Sequence, residues 1–414
     1  MAYTKVAIIG GGFGGLNAAK SLKGAKLDVL LIDKTNHHLF QPLLYEVATA
    51  AFSPGEIATP LREVLRHQSN ASVIMGEVVD IDKAAKRLTL SNADTYGYDY
   101  LIIATGARHS YFGNDDWEPF APGLKTISDA LKIREQILIS FEKAERLDSI
   151  QEASKYLNFV IIGGGPTGVE MAGAIAEIAH KTLFKNFRRI RPETSKIYLI
   201  EALPRILQTY PEELSERAKR DLEHMGVKVL IGKKVTNIDE NGVQMGEMFI
   251  ECKNIIWAAG NQASPLLKTL GVPLDRQGRV QVEPDLSIPN YPDIFVIGDA
   301  ACVLKEGQSI PATAPAAIQE GKYVARLIAK GIPKENRTPF CYFDKGSMAT
   351  IGKAKAIVCF KSLRLGGFLA WLIWAFIHIF YLIGFRSRIG VMLEWGSTML
   401  TGQRGVRLIN RQID

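Results

Sequence analysis

Residues 6–15 of this chain are VAIIGGGFGG, and residues 159–168 repeat the pattern as FVIIGGGPTG. In each copy an apolar strand runs into a glycine turn, and apolar residues with helical spacing begin directly after the turn. Each helix leads to a second apolar strand that ends in an acid, Asp33 in the first copy and Glu201 in the second. This order of strand, glycine turn, helix, strand and acid predicts two βαβ units of the dinucleotide-binding type.

The two copies stay in register beyond their first strands. Each closes on a further apolar strand and a turn of small residues that ends in Gly106 or Gly260. Gly10 and Gly106 are 96 residues apart, and Gly163 and Gly260 are 97 residues apart. Because several features keep the same order and spacing, we interpret the chain as a duplication. The expected fold class is α/β, with two Rossmann-like dinucleotide-binding domains.

The glycine spacing has a chemical reason. Gly10 permits the tight turn, Gly12 lets the backbone approach a pyrophosphate, and Gly15 lets the helix pack close to the sheet. The helix N-terminus then offers free N–H groups to phosphate, and the acid accepts hydrogen bonds from a ribose. The second copy repeats this set with Gly163, Gly165, Gly168 and Glu201.

Two nucleotide sites on one chain imply two dinucleotides, and we interpret them as one bound FAD and one exchangeable nicotinamide cofactor. Glu201 favours NADH, because a carboxylate repels a 2′-phosphate. Arg205 is near enough in sequence to keep NADPH open as an alternative. The alternative is that these are ordinary βαβ turns without a ligand. That interpretation is the weaker one, because both turns lie between strand and helix with an acid at the end of the next strand.

The cysteines and histidines give no sign of a redox disulfide or a metal site. Cys252, Cys302, Cys341 and Cys359 form no CxxC pair, and the seven histidines show no ligand spacing. We therefore expect buried, inert thiols and no bound metal. The early start of the first apolar strand leaves no room for a presequence, which favours a cytosolic main body.

The formal net charge of +7 is concentrated in the C-terminal part of the chain. Residues 341–414 hold ten Lys and Arg against three Asp and Glu, and the first 340 residues hold equal numbers of both signs. This basic region flanks a long apolar segment. Anionic lipid headgroups are therefore the better expected partner, and nucleic acid is not expected.

The apolar segment is Leu365–Phe385, which is 21 residues long and carries no formal charge. As one helix it would be about 31 Å long, enough to cross a bilayer core. Arginines border it on both sides, and Trp371, Trp374 and Tyr381 are typical of the membrane interface. We expect a helix that lies in one leaflet, since a span would carry the arginines after it, Arg404, Arg407 and Arg411 among them, across the membrane. A true span, a soluble core helix and a homodimer interface stay open as alternatives.

Several longer stretches resemble one family, the type II NADH dehydrogenases, which are single-subunit, non-proton-pumping NADH:quinone oxidoreductases of respiratory chains. They are HLFQPLLYEVA at 38–48, SPGEI at 53–57, GPTGVE at 165–170, Gly298-Asp299, APAAIQ at 314–319 and GFR at 384–386. The resemblance implies a two-dinucleotide-binding flavoprotein fold, similar to glutathione reductase, with C-terminal membrane-binding helices. It also implies the domain limits: an FAD-binding domain at 1–112 and 271–340, an NADH-binding domain at 113–270, and a membrane-anchoring region at 341–414.

The turns and the resemblance together supply the expected binding residues. Those expected at non-covalent FAD are Gly10, Gly12, Phe13, Gly14, Gly15, Asp33, Gln41, Pro42, Thr105, Gly106, Gly298, Asp299 and Ala317. Those expected at NADH are Gly163, Gly165, Pro166, Thr167, Gly168, Glu170, Glu201, Ala259 and Gly260. The quinone is expected at Ala316, Gln319 and Glu320.

Glu170 and Gln319 are the expected catalytic residues. Glu170 could orient the nicotinamide or relay protons toward quinone; the alternative is an acid that stabilises the first helical turn. Gln319 belongs to a segment that resembles the family's quinone motif, although Pro315 stands where that motif often has a second Gln. The alternative is that the small residues of this segment only allow a helix to start against the flavin.

The resemblance therefore implies an FAD enzyme that oxidises NADH and reduces a membrane quinone to quinol. It is expected on the cytoplasmic face of the inner membrane, attached peripherally and without a proton channel. A disulfide reductase or a sulfide:quinone reductase would need paired cysteines, which are missing. An NADH-dependent reductase of a ferredoxin- or rubredoxin-type protein and a flavin- and NADH-binding redox sensor are the two alternatives.

Overall fold

The computed structural model describes residues 3–305 and 307–409, which form two compact units. The first unit comprises Met1–Leu39, Ala58–Arg108 and Asn261–Lys345, and the second comprises Phe40–Ile57, His109–Gly260 and Gly346–Asp414. Each unit contains one copy of the repeated glycine turn. Each is therefore described separately.

The first unit contains three α-helices, Phe13–Ser21, Leu61–Leu65 and Ala314–Ala329, with 3₁₀ turns at Pro265–Leu270, Gly298–Ala300 and Lys334–Asn336. Its central sheet has six strands in the order Ser287–Ile288, Tyr291–Val296, Tyr100–Ile103, Thr4–Ile9, Leu27–Asp33 and Ala71–Met75. The short strands around it are His37–Leu39, Ala58–Pro60, Val78–Asp82, Arg87–Leu90, Thr95–Gly97, Asn261–Ala263, Val280–Gln281, Ala301–Cys302, Leu304–Lys305 and Gln308–Ser309. A further strand, Ala107–His109, ends one residue into the second unit's sequence.

The sheet of the first unit is parallel except at its Ser287–Ile288 edge. In its four inner strands most residues are apolar and buried, as parallel strands covered by helices require, whereas the edge strand Ala71–Met75 is partly exposed. The helices Phe13–Ser21 and Ala314–Ala329 meet closely, because a Cβ added at Gly321 would lie 2.3 Å from the carbonyl oxygen of Gly14. The sequence also predicts a helical stretch at about Ala314–Ala329, and the structure confirms it.

The second unit is built around a four-stranded parallel sheet with the order Val227–Ile231, Lys196–Glu201, Asn158–Ile162 and Asn254–Trp257. Its α-helices are Leu44–Ala48, Pro54–Ile57, Ile127–Arg146, Ile150–Tyr156, Pro166–Glu177, Glu212–His224, Phe368–Tyr381 and Phe385–Thr401. Short 3₁₀ or π turns occur at Gln41–Leu43, Asp115–Trp117, Ile178–Thr182 and Pro192–Thr194. Two antiparallel sheets complete the unit: Asn237–Asp239, Gly242–Met245 and Met248–Glu251, and Ser347–Gly352, Lys355–Phe360 and Leu363–Gly367.

The single helix expected over Leu365–Phe385 is wrong. The segment begins in the strand Leu363–Gly367, continues as the 14-residue helix Phe368–Tyr381, and breaks before the helix Phe385–Thr401. Gly367 and Gly384 precede the two helices with φ of +89° and +90°. A right-handed helix does not accommodate residues in this conformation, so each glycine marks where the following helix begins.

The two C-terminal helices each bury one side and expose apolar side chains on the other. Ala370, Trp374, Ala375 and His378 are buried in the first helix, and Ser387, Val391 and Trp395 in the second. The exposed apolar residues are Phe368, Leu369, Leu372, Phe376, Phe380, Phe385, Ile389, Met392, Leu393 and Leu400. Within the described residues, no helix combines the length and apolar character needed to cross a bilayer.

Other parts of the structure differ from the expectations. Phe40–Ile57 belongs to the second unit, although the sequence analysis placed it with the FAD-binding residues, and the C-terminal region from Gly346 joins that same unit. The cysteines are free thiols, but only Cys252 and Cys302 are buried, whereas Cys341 is exposed and Cys359 is partly exposed. The expectation of uniformly buried thiols is therefore wrong.

The glycine turn of the first unit yields a stability prediction. A Cβ at Gly15 would lie 1.9 Å from the carbonyl oxygen of Gly10, whereas a Cβ at Gly396 would meet nothing within 4 Å. Gly15→Ala should therefore destabilise the protein by about 1–3 kcal/mol or more, because backbone must move to admit the methyl group. Gly396→Ala is the matched control and should leave the thermal midpoint unchanged or slightly raised. Equal midpoints for the two variants would contradict the close approach.

Candidate functional site

The first glycine turn lies between the strand Thr4–Ile9 and the helix Phe13–Ser21. Gly10 has φ +102°, and nothing lies within 4 Å of the position that a Cβ at Gly12 would occupy. Asp33 Oδ2 accepts a 2.6 Å hydrogen bond from the Gly11 backbone N–H. The turn is therefore fixed from the neighbouring strand, and open space is left at Gly12, at the carboxyl end of the sheet where dinucleotides bind.

The second turn repeats this geometry within its own unit. Gly163 has φ +112°, and nothing lies within 4 Å of a Cβ at Gly165. Glu201 Oε2 accepts a 2.6 Å hydrogen bond from the Gly164 backbone N–H. Each unit thus contains the same strand, turn, helix and acid, which is the arrangement expected for two nucleotide sites.

The surroundings of Glu201 bear on the choice of nicotinamide cofactor. Its second oxygen accepts a 2.8 Å hydrogen bond from the Leu203 N–H. The Arg205 guanidinium donates to the carbonyl oxygens of Tyr210 at 2.8 Å and Gln208 at 3.0 Å. Backbone carbonyls therefore hold the Arg205 guanidinium, while the Glu201 carboxylate accepts from the Gly164 and Leu203 N–H groups at the end of its strand.

Two buried polar atoms in the first unit fit a polar ligand such as FAD. Among the described residues, Thr105 Oγ1 and His38 Nε2 are buried without a hydrogen-bond partner. Thr105 lies in the turn after the strand Tyr100–Ile103, which pairs with Thr4–Ile9. The His38 ring contacts the Phe13 ring edge-on, and its Nδ1 is 2.9 Å from the Gly11 carbonyl oxygen. A buried polar atom without a partner is unfavourable, so a ligand that hydrogen-bonds there would stabilise the site.

His38 begins the stretch HLFQPLLYEVA but was not among the residues expected at the site. Burial lowers its pKa, so the ring is neutral near pH 7. The Gly11 carbonyl can only accept, so Nδ1 carries the proton and Nε2 is left as an acceptor. His38 therefore supports the glycine turn and offers one hydrogen-bond acceptor beside it.

The residues around Gly298 also lie in the first unit. Gly298 has φ +67° and begins the 3₁₀ turn that contains the half-buried Asp299. Its N–H donates to Glu320 Oε2 at 2.5 Å, and burial raises the pKa of Glu320 to about 7. Ala316 and Ala317 are buried, and a Cβ at Gly298 would meet Ala317 at 3.4 Å. Glu320, expected near quinone, thus supports the Gly298-Asp299 turn.

Gln319 is engaged by backbone groups at both ends of its amide. Nε2 donates to the carbonyl oxygens of Pro315 at 3.1 Å and Phe343 at 3.0 Å, and Oε1 accepts from the Phe343 N–H at 3.0 Å. These bonds tie the helix Ala314–Ala329 to the segment around Phe343. The amide expected to face quinone has structural partners instead.

Gln41 and Pro42, expected near the flavin, belong to the second unit. Gln41 Nε2 donates to the Lys125 carbonyl oxygen at 3.2 Å, and Pro42 lies in the short turn Gln41–Leu43. Ala259 and Gly260 close the second unit's nucleotide region, where Gly260 has φ +69° and the Ser110 N–H donates to its carbonyl oxygen. Thr167 follows Pro166, the first residue of the helix Pro166–Glu177.

Glu170 lines a pocket of the second unit with about 510 Å³ of unfilled space, including its opening to solvent. Glu170 is the fifth residue of its helix, so stabilisation of the first turn does not explain it. Burial raises the pKa of Glu170 well above its usual range, while the Thr350 N–H opposes the shift and the Glu46 charge adds to it. The other polar lining residues are Tyr45, Glu46, Glu177, Thr350, Lys353, Thr398 and Arg404.

Arg404, one of the arginines in the basic region expected to meet lipid headgroups, is only 5% exposed. Its guanidinium lies 3.0 Å from Glu177 Oε2 and 3.6 Å from Glu46 Oε2. It also donates to the Thr49 carbonyl oxygen at 2.8 Å and to Thr49 Oγ1 at 2.7 Å. That expectation is wrong for Arg404, because a buried guanidinium requires carboxylate partners and finds them here. Arg411 lies outside the described residues.

The comparisons with known proteins agree with this geometry. The sequence model of the pyridine nucleotide-disulphide oxidoreductases matches residues 4–321, and that of the NDH2 C-terminal domain matches residues 345–404. The chain is thus a flavoprotein oxidoreductase with FAD as its cofactor and two nucleotide-binding turns.

The relatives identify the family more closely. The type II NADH:quinone oxidoreductases Ndh and NdhA of Mycobacterium tuberculosis are 47% and 44% identical to it, each over 99% of this chain and 90% of the relative. The chain belongs to the type II NADH:quinone oxidoreductases. The structure of NDH2 from Plasmodium falciparum in complex with NADH shares the fold, with a TM-score of 0.89 at 23% identity over 98% of this chain and 100% of that one.

The second turn gives a test of nucleotide binding that separates binding from folding. Gly165→Ala should fold normally, since its Cβ meets no protein atom within 4 Å, yet it should raise the KM for NADH roughly tenfold, because the methyl group occupies space at the pyrophosphate. Gly168→Ala should instead lower the thermal midpoint, since its Cβ would lie 1.8 Å from the Gly163 carbonyl oxygen. An unchanged KM in folded Gly165→Ala would argue against pyrophosphate binding at this turn.

Proposed function

We propose that this protein oxidises NADH at the second unit's glycine turn, with FAD held by the first unit's turn, and reduces a membrane quinone to quinol. When bound, FAD accepts hydride from NADH and delivers two electrons to quinone. Family membership at 47% identity over nearly the whole chain is the single observation that carries this proposal. The balance is NADH + H⁺ + quinone → NAD⁺ + quinol.

The FAD-holding residues that we propose are those of the first unit. In the turn that the Gly11–Asp33 hydrogen bond fixes, the free N–H groups at the start of Phe13–Ser21 would bind the pyrophosphate. Thr105 Oγ1 and His38 Nε2 would find partners on the cofactor. Asp299, on a turn supported by Glu320, would bind the ribityl chain. Gln41 and Pro42 are proposed near the flavin ring only on the strength of the family resemblance.

For quinone, we propose that Glu170 is the main polar group. Its pocket contains two tryptophans, Trp371 and Trp395, which suit an apolar ring, and polar groups that can exchange protons. Ala316, Gln319 and Glu320 were the residues expected to bind quinone. Because Gln319 is bonded to Phe343 and Glu320 to Gly298, we propose supporting roles for both.

We further propose that the exposed apolar side of Phe368–Tyr381 and Phe385–Thr401 rests on a lipid surface, peripherally on the cytoplasmic side of the inner membrane. Such a location would give a bilayer-soluble quinone access while NADH arrives from water. Phe376 is 71% exposed and Leu393 is 68% exposed, which is unfavourable for apolar side chains in water. A homodimer that covers the same side is the alternative.

Steady-state NADH oxidation tests the activity. Purified protein should oxidise NADH rapidly when a water-soluble quinone is added, and NADPH should be the poorer substrate by about tenfold or more. A rate that quinone does not accelerate would contradict the proposal. Acceleration by a small iron–sulfur protein instead would favour the ferredoxin-type reductase, and no turnover with either would favour a redox sensor.

Glu170→Gln tests the polar group at quinone. The ratio of the quinone-dependent rate to the ferricyanide-dependent rate should fall about tenfold or more, because ferricyanide takes up no proton and the amide cannot exchange one. Glu193→Gln, in the 3₁₀ turn Pro192–Thr194 and outside the pocket lining, is the control and should keep the wild-type ratio. An unchanged ratio in Glu170→Gln would remove this residue from the quinone reaction.

Phe376→Glu with Leu393→Glu tests the lipid surface. The double variant should lose most of its binding to sedimented phospholipid vesicles, since each charge opposes burial at the interface. Met75→Glu, at a 65% exposed apolar residue of the first unit, should bind like the wild type. If vesicle binding persisted while a wild-type dimer became a monomer, the surface would be a subunit interface.

A further inference from the structure

The pocket beside Glu170 contains more carboxyl groups than cations. Its lining includes Glu46, Glu170 and Glu177 but only two cationic side chains, Lys353 and Arg404. Lys353 Nζ donates to the carbonyl oxygens of Thr398 at 3.1 Å and Met399 at 2.7 Å, at the end of the helix Phe385–Thr401. Arg404 is therefore the cation that pairs with carboxylates there, and it pairs with two of the three.

Glu46 contacts both a hydroxyl group and a guanidinium among these groups. Its Oε1 accepts a 2.9 Å hydrogen bond from the Tyr45 hydroxyl, and its Oε2 lies 3.6 Å from Arg404. The side chain is only 13% exposed. Burial raises the pKa of Glu46, while Arg404 and the Tyr45 hydroxyl oppose that shift. The Trp395 side chain also opposes the shift, so the ionised form of Glu46 depends on one arginine, one tyrosine and one tryptophan.

The charge of Glu46 acts on Glu170 through space. The charge of Glu46 contributes to the raised pKa of Glu170, and both charges raise the pKa of Tyr45. The described ion pairs of Arg404 are to Glu46 and Glu177, so Glu170 receives no such pair. Two nearby buried carboxyls that share less than one full counter-charge cannot both ionise easily, and they behave as a coupled pair.

From this arrangement we infer that Glu46 and Glu170 hold one exchangeable proton between them, with Arg404 positioning Glu46, and that quinone reduction uses this proton. The inference rests on the proposed function. Reduction of quinone needs two electrons and two protons, whereas NADH supplies two electrons and one proton. The second proton leaves a carboxyl O–H and forms an O–H bond on quinone oxygen. Water at the pocket opening then returns a proton to the carboxylate.

Titratable and charged groups face this pair from several elements. Tyr45 lies on the helix Leu44–Ala48, Glu177 on Pro166–Glu177, Lys353 between two strands, and Arg404 after the last helix. Tyr210 also lies near Glu170, whose charge adds to the burial that raises the Tyr210 pKa. Cys359 contributes to the same Tyr210 shift. The pH dependence of quinone reduction should therefore follow the coupled carboxyl pair as modified by these neighbours.

Glu46→Gln is the principal test, read from the pH dependence of quinone-dependent kcat divided by the ferricyanide-dependent rate. Removal of the Glu46 charge lowers the pKa of Glu170, so the shared proton is lost at lower pH. The alkaline limb of the profile should shift down by about one pH unit. Glu46→Asp keeps a carboxyl and should restore the limb toward its wild-type position. Glu56→Gln is the matched control, since Glu56 bonds to Ser53 and does not line the pocket; its profile should not shift.

Tyr45→Phe provides a second test with the opposite sign, and it applies even if Glu46→Gln does not fold. Loss of the hydroxyl removes a hydrogen bond that favours ionised Glu46, so the proton is held more firmly and the alkaline limb should move up by about half a unit. Wild-type quinone reduction with no shift in either variant would overturn the inference and leave the proposed function intact. A wild-type protein that does not reduce quinone would overturn both.

Discussion

In each unit the glycine turn and the helix that follows it approach each other closely. A Cβ at Gly15 or Gly168 would lie 1.9 Å or 1.8 Å from the carbonyl oxygen of the turn's first glycine. Because no side chain fits there, the helix can pack against the strand at only one spacing. The acid on the next strand then fixes the turn through a 2.6 Å hydrogen bond in both units. Sheet, helix and nucleotide cradle therefore follow from one steric constraint.

This constraint explains why so much of the fold could be predicted from sequence. The turns, their acids and the helix Ala314–Ala329 depend on local backbone conformation, which the residue types indicate directly. The C-terminal segment was predicted less well, because an uninterrupted apolar run carries no signal for a break. Its limits depend on Gly367 and Gly384 in positive-φ conformations, and glycine in sequence does not reveal which conformation it adopts.

The residues of the candidate site also differ in how far the sequence alone could predict them. The residues expected at the nucleotides could be predicted because they lie within a few positions of a recognisable turn. Arg404 and Glu46 were missed because they are 358 positions apart in the sequence, and only folding brings their charges within 3.6 Å. From the sequence alone, every basic residue of 341–414 was expected to be available to lipid headgroups. Arg404 is not available to lipid, because it is buried and a buried guanidinium is stable only beside its carboxylate partners.

The helix Pro166–Glu177 connects the two parts of the second unit's chemistry. It begins at the second glycine turn, and both Glu170 and Glu177 on it line the charged pocket. At about 1.5 Å of rise per residue, Glu170 lies only about 7 Å along the axis from Gly165. One rigid element thus sets the separation between the nucleotide turn and the proton-exchanging carboxyls. Any change that tilts this helix would move the turn and these carboxyls together, because they belong to one element.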